Sequence, residues 1–223
     1  MSARGEFVFR NRADAGRRLA ARLAHHARRD DVVVLGLPRG GVPVAFEVAQ
    51  ALDLPLDVFT VRKLGTPGHE ELAMGAIASG GVRVLNDDVI ELLRLPPEAI
   101  ERAAEREKLE LHRRDVEYRG TEEPIEVKGL TAIVVDDGLA TGSTMRAAVA
   151  ALRRRGAARV VVAVPTASPD VCEEIGKEVD EMICAETPEP FQAVGVWYED
   201  FSQTSDREVK DLLARHRARL SPS

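Results

Sequence analysis

Short apolar runs alternate along this chain with segments of helical periodicity, and this alternation constrains its fold more than any other feature. The apolar runs have the length and β-branched content of buried strands, and they lie at residues 32–35, 56–61, 131–135, 160–164 and 179–184. Such alternation predicts an α/β fold: an open, mostly parallel, five-stranded sheet with helices on both faces. At 223 residues, the chain has the length of one large domain, with its core at about residues 30–185.

Helical periodicity predicts helices at residues 11–29, 42–52, 87–93, 98–118, 144–155, 168–177 and 206–220. In the predicted helix at 98–118, acidic and basic residues recur three or four positions apart, which is the spacing of ion pairs on a helix surface. This pattern indicates a solvent-exposed face, and a homodimer contact is the alternative. Residues 62–81 carry five glycines and show weak periodicity. We therefore expect a mobile loop there, closed by a hairpin of residues 73–78 and 82–85.

The charge balance disfavours a nucleic-acid partner. Lysine and arginine number 31, aspartate and glutamate number 37, and the formal net charge is −6, opposite in sign to the usual footprint of a nucleic-acid binder. No apolar run approaches the roughly 18 residues of a membrane helix. Residues 1–12 also lack the apolar segment of a secretory signal. We therefore expect a cytoplasmic protein without a membrane or nucleic-acid partner.

The cysteines and histidines predict no metal site. Cys172 and Cys184 lie in different predicted elements without CxxC spacing, which favours small core residues over a disulfide or a metal pair. His25 and His26 are adjacent and the other histidines are isolated, so the chain has no i, i+4 pair typical of a helical zinc site.

An acidic pair and a loop of small residues follow the strand at 131–135. The small residues let backbone N–H groups approach an anion, and the start of the next helix adds partial positive charge, so this turn is suited to a phosphate. Asp136 and Asp137 need a different partner, such as sugar hydroxyls or a Mg²⁺ ion shared with the ligand. Diol, cation and phosphate together describe a ribose 5-phosphate. The Walker and GxGxxG phosphate motifs are absent.

Residues 131–145 resemble the phosphoribosyl pyrophosphate (PRPP) signature of the type I phosphoribosyltransferases. The resemblance implies the fold of that family, with a flexible loop and a small hood that we expect from the N-terminal residues and about residues 186–223. It also implies that Asp136 and Asp137 bind the ribose hydroxyls of PRPP. The implied 5-phosphate loop comprises Ala140, Thr141, Gly142, Ser143 and Thr144.

The resemblance further implies a pyrophosphate-binding loop after the first core strand, where Arg39, Gly40 and Gly41 stand. Taken alone, these three residues are equally typical of an ordinary turn. Arg62 and Lys63 lie at the end of the second strand, from which family members direct a basic residue at pyrophosphate. Basic residues at a strand end more often simply face solvent.

The implied reaction displaces pyrophosphate from C1 of PRPP by a nitrogen nucleophile, with inversion and with Mg²⁺ held mainly by the substrate. Residues 62–81 are the candidate lid that excludes water. Glu70 and Glu71 are either exposed lid charges or groups for proton transfer or cation binding. The sequence identifies no general base.

The acceptor is expected to be a nitrogenous compound, with a nucleobase as the first choice. Ala140 stands where members that salvage 6-oxopurines carry an acidic residue, which disfavours hypoxanthine or guanine. Trp197 and Tyr198, with Phe201 beside them, could stack on a base. Three aromatic residues so close together are more often a small hydrophobic plug.

Two other functions are compatible with the sequence. A regulator with the same fold could bind PRPP or a nucleotide without turnover. The surface distribution of four arginines on the 98–118 helix bears on that alternative: Arg102, Arg106, Arg113 and Arg114. A phosphate-binding hydrolase is a weaker alternative, because neither a nucleophile–base pair nor a metal cluster can be recognised in the sequence.

Overall fold

The computed structural model describes residues 9–120 and 123–220, apart from the side chains of Glu70 and Glu71. The helices are α1 (Arg12–Arg22), α2 (Gly41–Leu52), α3 (Asp87–Leu92), α4 (Pro97–Arg119), α5 (Ser143–Arg154), α6 (Pro169–Gly176) and α7 (Asp206–Leu220). The strands are β1 (Val32–Gly36), β2 (Leu56–Val58), β3 (Val61–Thr66), β4 (His69–Ala78), β5 (Val82–Leu85), β6 (Thr131–Val135), β7 (Arg159–Thr166) and β8 (Glu181–Glu186). Short 3-10 helices lie at Ala24–His26 and Val194–Trp197.

Five parallel strands form the main sheet in the order β2-β1-β6-β7-β8, which confirms the predicted open α/β architecture. The valine-rich strands β1 and β6 are buried along their whole length, because α1, α2 and α7 cover one face and α5 and α6 cover the other. β1 and β6 pair in register up to Gly36 and Val135. The loops that follow these two strands therefore emerge side by side.

Residues 61–85 form a second, antiparallel sheet in the order β3-β4-β5. The predicted hairpin is present as β4 and β5, but the loop expected over residues 62–81 is wrong, because β3 and β4 occupy most of that range. Leu64, Met74 and Ile77 are fully buried and pack in one cluster with Leu111 of α4. The pairing of β3 with β4 shifts register on both sides of Gly65. Apolar side chains therefore do not alternate regularly along these strands, and the sequence periodicity did not predict them.

Cys172 and Cys184 form a disulfide, so the expectation that they are unpaired core residues is wrong. Cys172 lies on α6 and Cys184 on β8, with their Cα atoms 6.7 Å apart. The contact arises because α6 packs back against β8 after leaving β7. The two cysteines are 12 residues apart in the sequence, and this spacing alone does not predict their contact.

The first helix is shorter than its periodicity predicts. Asn11 caps α1, and its side-chain Oδ1 accepts a hydrogen bond from the backbone N–H of Asp14 at 2.9 Å. The helix ends at Arg22 and is followed by the 3-10 helix at Ala24–His26. Within the described ranges, no helix is both long enough and apolar enough to cross a membrane.

Candidate functional site

Two loops meet at the carboxyl edge of the main sheet. Residues 37–41 follow β1 and residues 136–142 follow β6, and the backbone N–H of Leu37 donates to the carbonyl oxygen of Val135 at 2.9 Å. A Cβ atom on Gly40 would lie 2.0 Å from Oδ2 of Asp137, so only glycine allows so close an approach. Arg39 is half-buried in the first loop, after a cis peptide bond from Pro38. The structure thus brings the predicted pyrophosphate loop against the predicted diol-binding carboxylates.

Asp136 and Asp137 share a half-buried position beneath this contact. The backbone N–H of Asp137 donates to Oδ1 of Asp136 at 2.9 Å. Burial raises the pKa of Asp136 well above its ordinary value, and the charge of Asp137 raises it further. Burial also raises the pKa of Asp137, against the opposing hydrogen bond and charge of Arg12. Carboxylates in such surroundings can accept hydrogen bonds from hydroxyl groups or bind a cation.

Arg12 belongs to this site, although sequence reasoning missed it. Its Nε donates to Oδ2 of Asp137 at 2.8 Å, and its Nη1 donates to the carbonyl oxygen of Ser202 at 2.7 Å. The guanidinium also lies 4.0 Å from the ring centroid of Phe201. Arg12 therefore joins the start of α1 to the acidic pair and to the C-terminal segment.

The predicted phosphate loop leads directly into α5. Gly142 has a φ of 71°, and a Cβ atom there would lie 2.7 Å from Cδ1 of Ile175, so both conformation and space favour glycine. Thr141 and Ser143 are exposed, and their hydroxyl oxygens are 3.3 Å apart. The N-terminus of α5 supplies backbone N–H groups and partial positive charge, which suits an anion.

Arg146 is a second residue that the sequence did not indicate. Its Nη1 donates to the carbonyl oxygen of Thr141 at 3.0 Å. Its Nη2 donates to Glu174 at 2.6 Å and its Nε donates to Glu178 at 3.0 Å. The guanidinium thereby connects the predicted phosphate loop to α6 and to the residues just after it. Arg146 lies in the first turn of α5 and is followed by alanines, and this local sequence gives no indication of its role.

Arg62 and Lys63 do not join the two loops in this structure. Arg62 donates from Nε and Nη2 to Oε2 of Glu107 on α4, at 2.9 and 2.7 Å. Lys63 is exposed on β3. Their assignment to pyrophosphate remains a prediction, and the side chains of Glu70 and Glu71 lie outside the described part of the structure.

Tyr198 contributes to the site through its hydroxyl group. The ring is buried between Phe9 and Phe201, with centroid distances of 5.4 and 5.0 Å. Its hydroxyl donates to the backbone carbonyl of Asp137 at 2.6 Å. Trp197 packs partly buried beside this cluster, and its backbone carbonyl accepts from the N–H of Phe9 at 2.8 Å. This packing agrees with the hydrophobic-plug alternative for Tyr198. The assignment of Trp197 and Tyr198 to base stacking remains a prediction.

The family model for the phosphoribosyl transferase domain matches residues 8–200. The chain belongs to the phosphoribosyltransferase family. This chain is 50% identical over 208 residues to a Mycobacterium tuberculosis protein, found in strains CDC 1551 and H37Rv, that is provisionally named a phosphoribosyl transferase. The match covers 93% of this chain and 47% of that protein, so the chain spans about half the length of these curated relatives.

The fold of this chain is also similar to that of the crystal structure of TT1426 from Thermus thermophilus. The two chains are 41% identical, and the superposition has a TM-score of 0.83. It covers 93% of this chain and 98% of TT1426. The match in family and architecture agrees with the resemblance of residues 131–145 to the PRPP signature.

Proposed function

We propose that this protein transfers the phosphoribosyl group of PRPP to a nitrogenous acceptor, with a nucleobase as the first choice, and releases pyrophosphate. The observation that carries the proposal is the contact between Gly40 and Asp137, where a Cβ atom would approach Oδ2 to 2.0 Å. That contact unites one loop suited to pyrophosphate with a carboxylate pair suited to a sugar diol. The anion-binding start of α5 lies on the same β6 loop.

Each part of the site has a role in this proposal. The 5-phosphate binds the N–H groups and hydroxyls of residues 140–144, Asp136 and Asp137 accept hydrogen bonds from the ribose hydroxyls, and residues 39–41 bind pyrophosphate. The acceptor nitrogen forms a bond to C1 while the bond from C1 to the pyrophosphate oxygen breaks. Positioning and electrostatic stabilisation supply most of the acceleration.

The residues present fit a Mg²⁺ ion bound mainly through the substrate. Mg²⁺ prefers oxygen ligands and commonly uses one or two carboxylates together with substrate phosphates. Asp136 and Asp137 offer such oxygens. Burial raises the pKa of both carboxyl groups and so disfavours their ionised forms, which a bound cation would stabilise. When bound, the ion would offset the negative charge of the departing pyrophosphate.

A PRPP-binding regulator without turnover is the second candidate, since the same two loops and carboxylate pair would bind PRPP whether or not an acceptor reacts with it. The Arg12–Asp137 ion pair at 2.8 Å leaves fewer lone pairs on Asp137 for a diol, and this bears equally on both candidates. A nucleic-acid-binding version of this regulator is less favoured, because glutamates of the same helix offset arginine charges on α4. These pairs are Arg106–Glu107, Arg113–Glu110, Arg113–Glu117 and Arg114–Glu110.

The test measures pyrophosphate release from PRPP and Mg²⁺ across a panel of nucleobases, alongside calorimetric titration with PRPP. Release with one base supports the transferase and names its acceptor class. Binding without release with every base supports the regulator instead. A protein that does not bind PRPP would contradict both proposals.

Asp137→Asn provides the variant for this test. It removes the negative charge at the centre of the proposed diol site, so we expect PRPP affinity to fall at least about tenfold, equivalent to about 1.4 kcal/mol. Asp211→Asn, at an exposed acid on α7, is the matched control and should bind PRPP like the parent protein. Circular dichroism of both variants establishes that the fold is retained.

A further inference from the structure

Three metal-ligating side chains converge at the edge of the main sheet opposite the candidate PRPP site. His25 and His26 belong to the 3-10 helix that follows α1, and Glu181 is the first residue of β8. The strands are parallel, and Glu181 pairs with Val161 near the start of β7. The cluster therefore lies at the amino edge of the sheet, whereas the loops after β1 and β6 lie at its carboxyl edge.

The geometry of this cluster is compact. Nε2 of His25 is 2.9 Å from Oε1 of Glu181, and Nε2 of His26 is 3.0 Å from Oε2 of the same carboxylate. The two imidazole centroids are 4.1 Å apart. One ligand atom from each residue lies within 4.8 Å of the other two. Two imidazole nitrogens and a carboxylate thus face a common point.

We propose that His25, His26 and Glu181 bind a divalent transition-metal ion, with Zn²⁺ as the best match. Two imidazoles and one carboxylate form a donor set that Zn²⁺ uses in proteins, with water as the fourth ligand. Bonds of about 2.0–2.1 Å in a tetrahedron place neighbouring ligand atoms about 3.3 Å apart. The ligand atoms here lie within 4.8 Å of one another, and each imidazole meets a different oxygen of Glu181, so binding would require a modest rearrangement of these side chains around the ion.

The charges around the cluster are compatible with such an ion. Arg29 is the nearby base that opposes a cation, but its guanidinium is paired with Asp31 at 2.7 Å. The anionic Glu181 offsets part of the charge of a divalent ion.

His26 presents one ring nitrogen to the cluster. Its side chain is only 3% exposed, and its Nδ1 has no hydrogen-bond partner among the described residues. Its Nε2, which lies 3.0 Å from Glu181, is therefore the nitrogen positioned to ligate. The bound ion would join the 3-10 helix that follows α1 to the edge strand β8.

The test uses the full-length protein without a polyhistidine tag, stripped of metal with a chelator and then dialysed against ZnCl₂. Retained zinc is measured by atomic spectrometry, and affinity is measured by titration calorimetry. We expect about one equivalent of zinc per chain and a higher melting temperature with zinc, since an ion that binds only the folded state stabilises it. Replacing Zn²⁺ by Co²⁺ should give the visible absorption of a tetrahedral site.

Three variants decide whether the named residues hold the ion. His25→Gln and Glu181→Gln should each weaken zinc binding at least about tenfold. His25 is exposed, so its variant should fold even if another substitution at the cluster does not. His112→Gln removes an exposed histidine from α4 and should bind zinc like the parent protein.

Absence of stoichiometric zinc in the parent protein would overturn the proposal. Equal zinc affinity in the parent and in folded His25→Gln would also overturn it, as would an equal loss in His112→Gln. Each readout is independent of PRPP and of turnover, so failure of the zinc site leaves the proposed transferase function untouched.

Discussion

Two adjacent aspartates in a desolvated site destabilise a folded protein, because each ionised carboxylate loses water and repels the other. Asp136 is the less compensated of the two. Burial and the charge of Asp137 raise its pKa, whereas Asp137 itself has Arg12 at 2.8 Å. Strongly shifted carboxylates in a cleft are typical of sites that gain their compensation from a ligand.

Asp136→Asn is expected to increase the free energy of unfolding by about 1 kcal/mol at about pH 8. The pKa of Asp136 is higher in the folded state than in the unfolded chain, so the parent protein loses stability as pH rises through the folded-state value. Asparagine does not ionise, and its amide oxygen can still accept from the N–H of Asp137. The gain should shrink as pH falls and vanish below the pKa of the unfolded aspartate. Urea denaturation across this pH range measures it.

Asp14→Asn is the control with the opposite sign. Burial alone would raise the pKa of Asp14, but hydrogen bonds from Arg10 and the charge of Arg18 lower it overall. Its contribution to stability is therefore present at neutral pH and lost as pH falls through its folded-state pKa. For Asp136→Asn, by contrast, a decrease in the free energy of unfolding at about pH 8 would contradict the view that Asp136 and Asp137 together destabilise the folded state.

The residues of this site differ in how far a sequence can reveal them. Asp136, Asp137 and Gly142 stand within one short motif, so their types and spacing already indicate diol and phosphate chemistry. Arg12 reaches Asp137 from 125 positions away. The pairing depends on where the first helix docks, and no local pattern records that.

At the scale of elements, Arg146 links α5, the predicted phosphate loop and α6. Arg146→Met keeps the length of the side chain but removes the hydrogen bond to the carbonyl of Thr141 and both bonds to Glu174 and Glu178. We expect PRPP affinity to fall about tenfold, or about 1.4 kcal/mol, because the loop loses its fixed orientation. Titration calorimetry with PRPP checks this.

Arg153→Met is the matched control on the same helix. Arg153 pairs with Asp180 at 2.7 Å near the other end of α5, away from the phosphate loop, so its loss should leave PRPP affinity unchanged. Equal affinities in the two variants and the parent would show that Arg146 does not position the loop. Melting temperatures separate a change in binding from a change in stability.

Elements with a regular pattern could be predicted almost to the residue. Periodicity predicted α7 at residues 206–220 and β6 at residues 131–135, and both have those bounds in the structure. The run at 56–61 divides between two sheets, since Leu56–Val58 pairs with β1 and Val61 begins β3. Local apolar content cannot record such a change of partner, and the same holds for the disulfide between α6 and β8.

At the scale of the whole molecule, α1 and the 3-10 helix that follows it form hydrogen bonds at both edges of the main sheet. Arg12 bonds to Asp137 at the carboxyl edge, and His25 and His26 bond to Glu181 at the amino edge. Packing of α1 against α2 holds the helix between these two ends. The single-domain organisation remains a prediction, because the curated relatives are about twice as long as the matched region. The homodimer also remains a prediction.

This arrangement predicts that the hydrogen bonds at the two edges contribute independently to the free energy of unfolding of the metal-free, ligand-free protein. Arg12 and His25 are separated by about 20 Å along the helical path, and their hydrogen bonds go to different partners. Arg12→Gln and His25→Gln should therefore lower the free energy of unfolding by amounts that add, to within about 0.5 kcal/mol, in the double variant. Chemical denaturation of the parent, both single variants and the double variant completes this cycle. A coupling above about 1 kcal/mol would mean that α1 transmits a shift from one edge to the other, and zinc at the histidine cluster would then be expected to alter PRPP affinity.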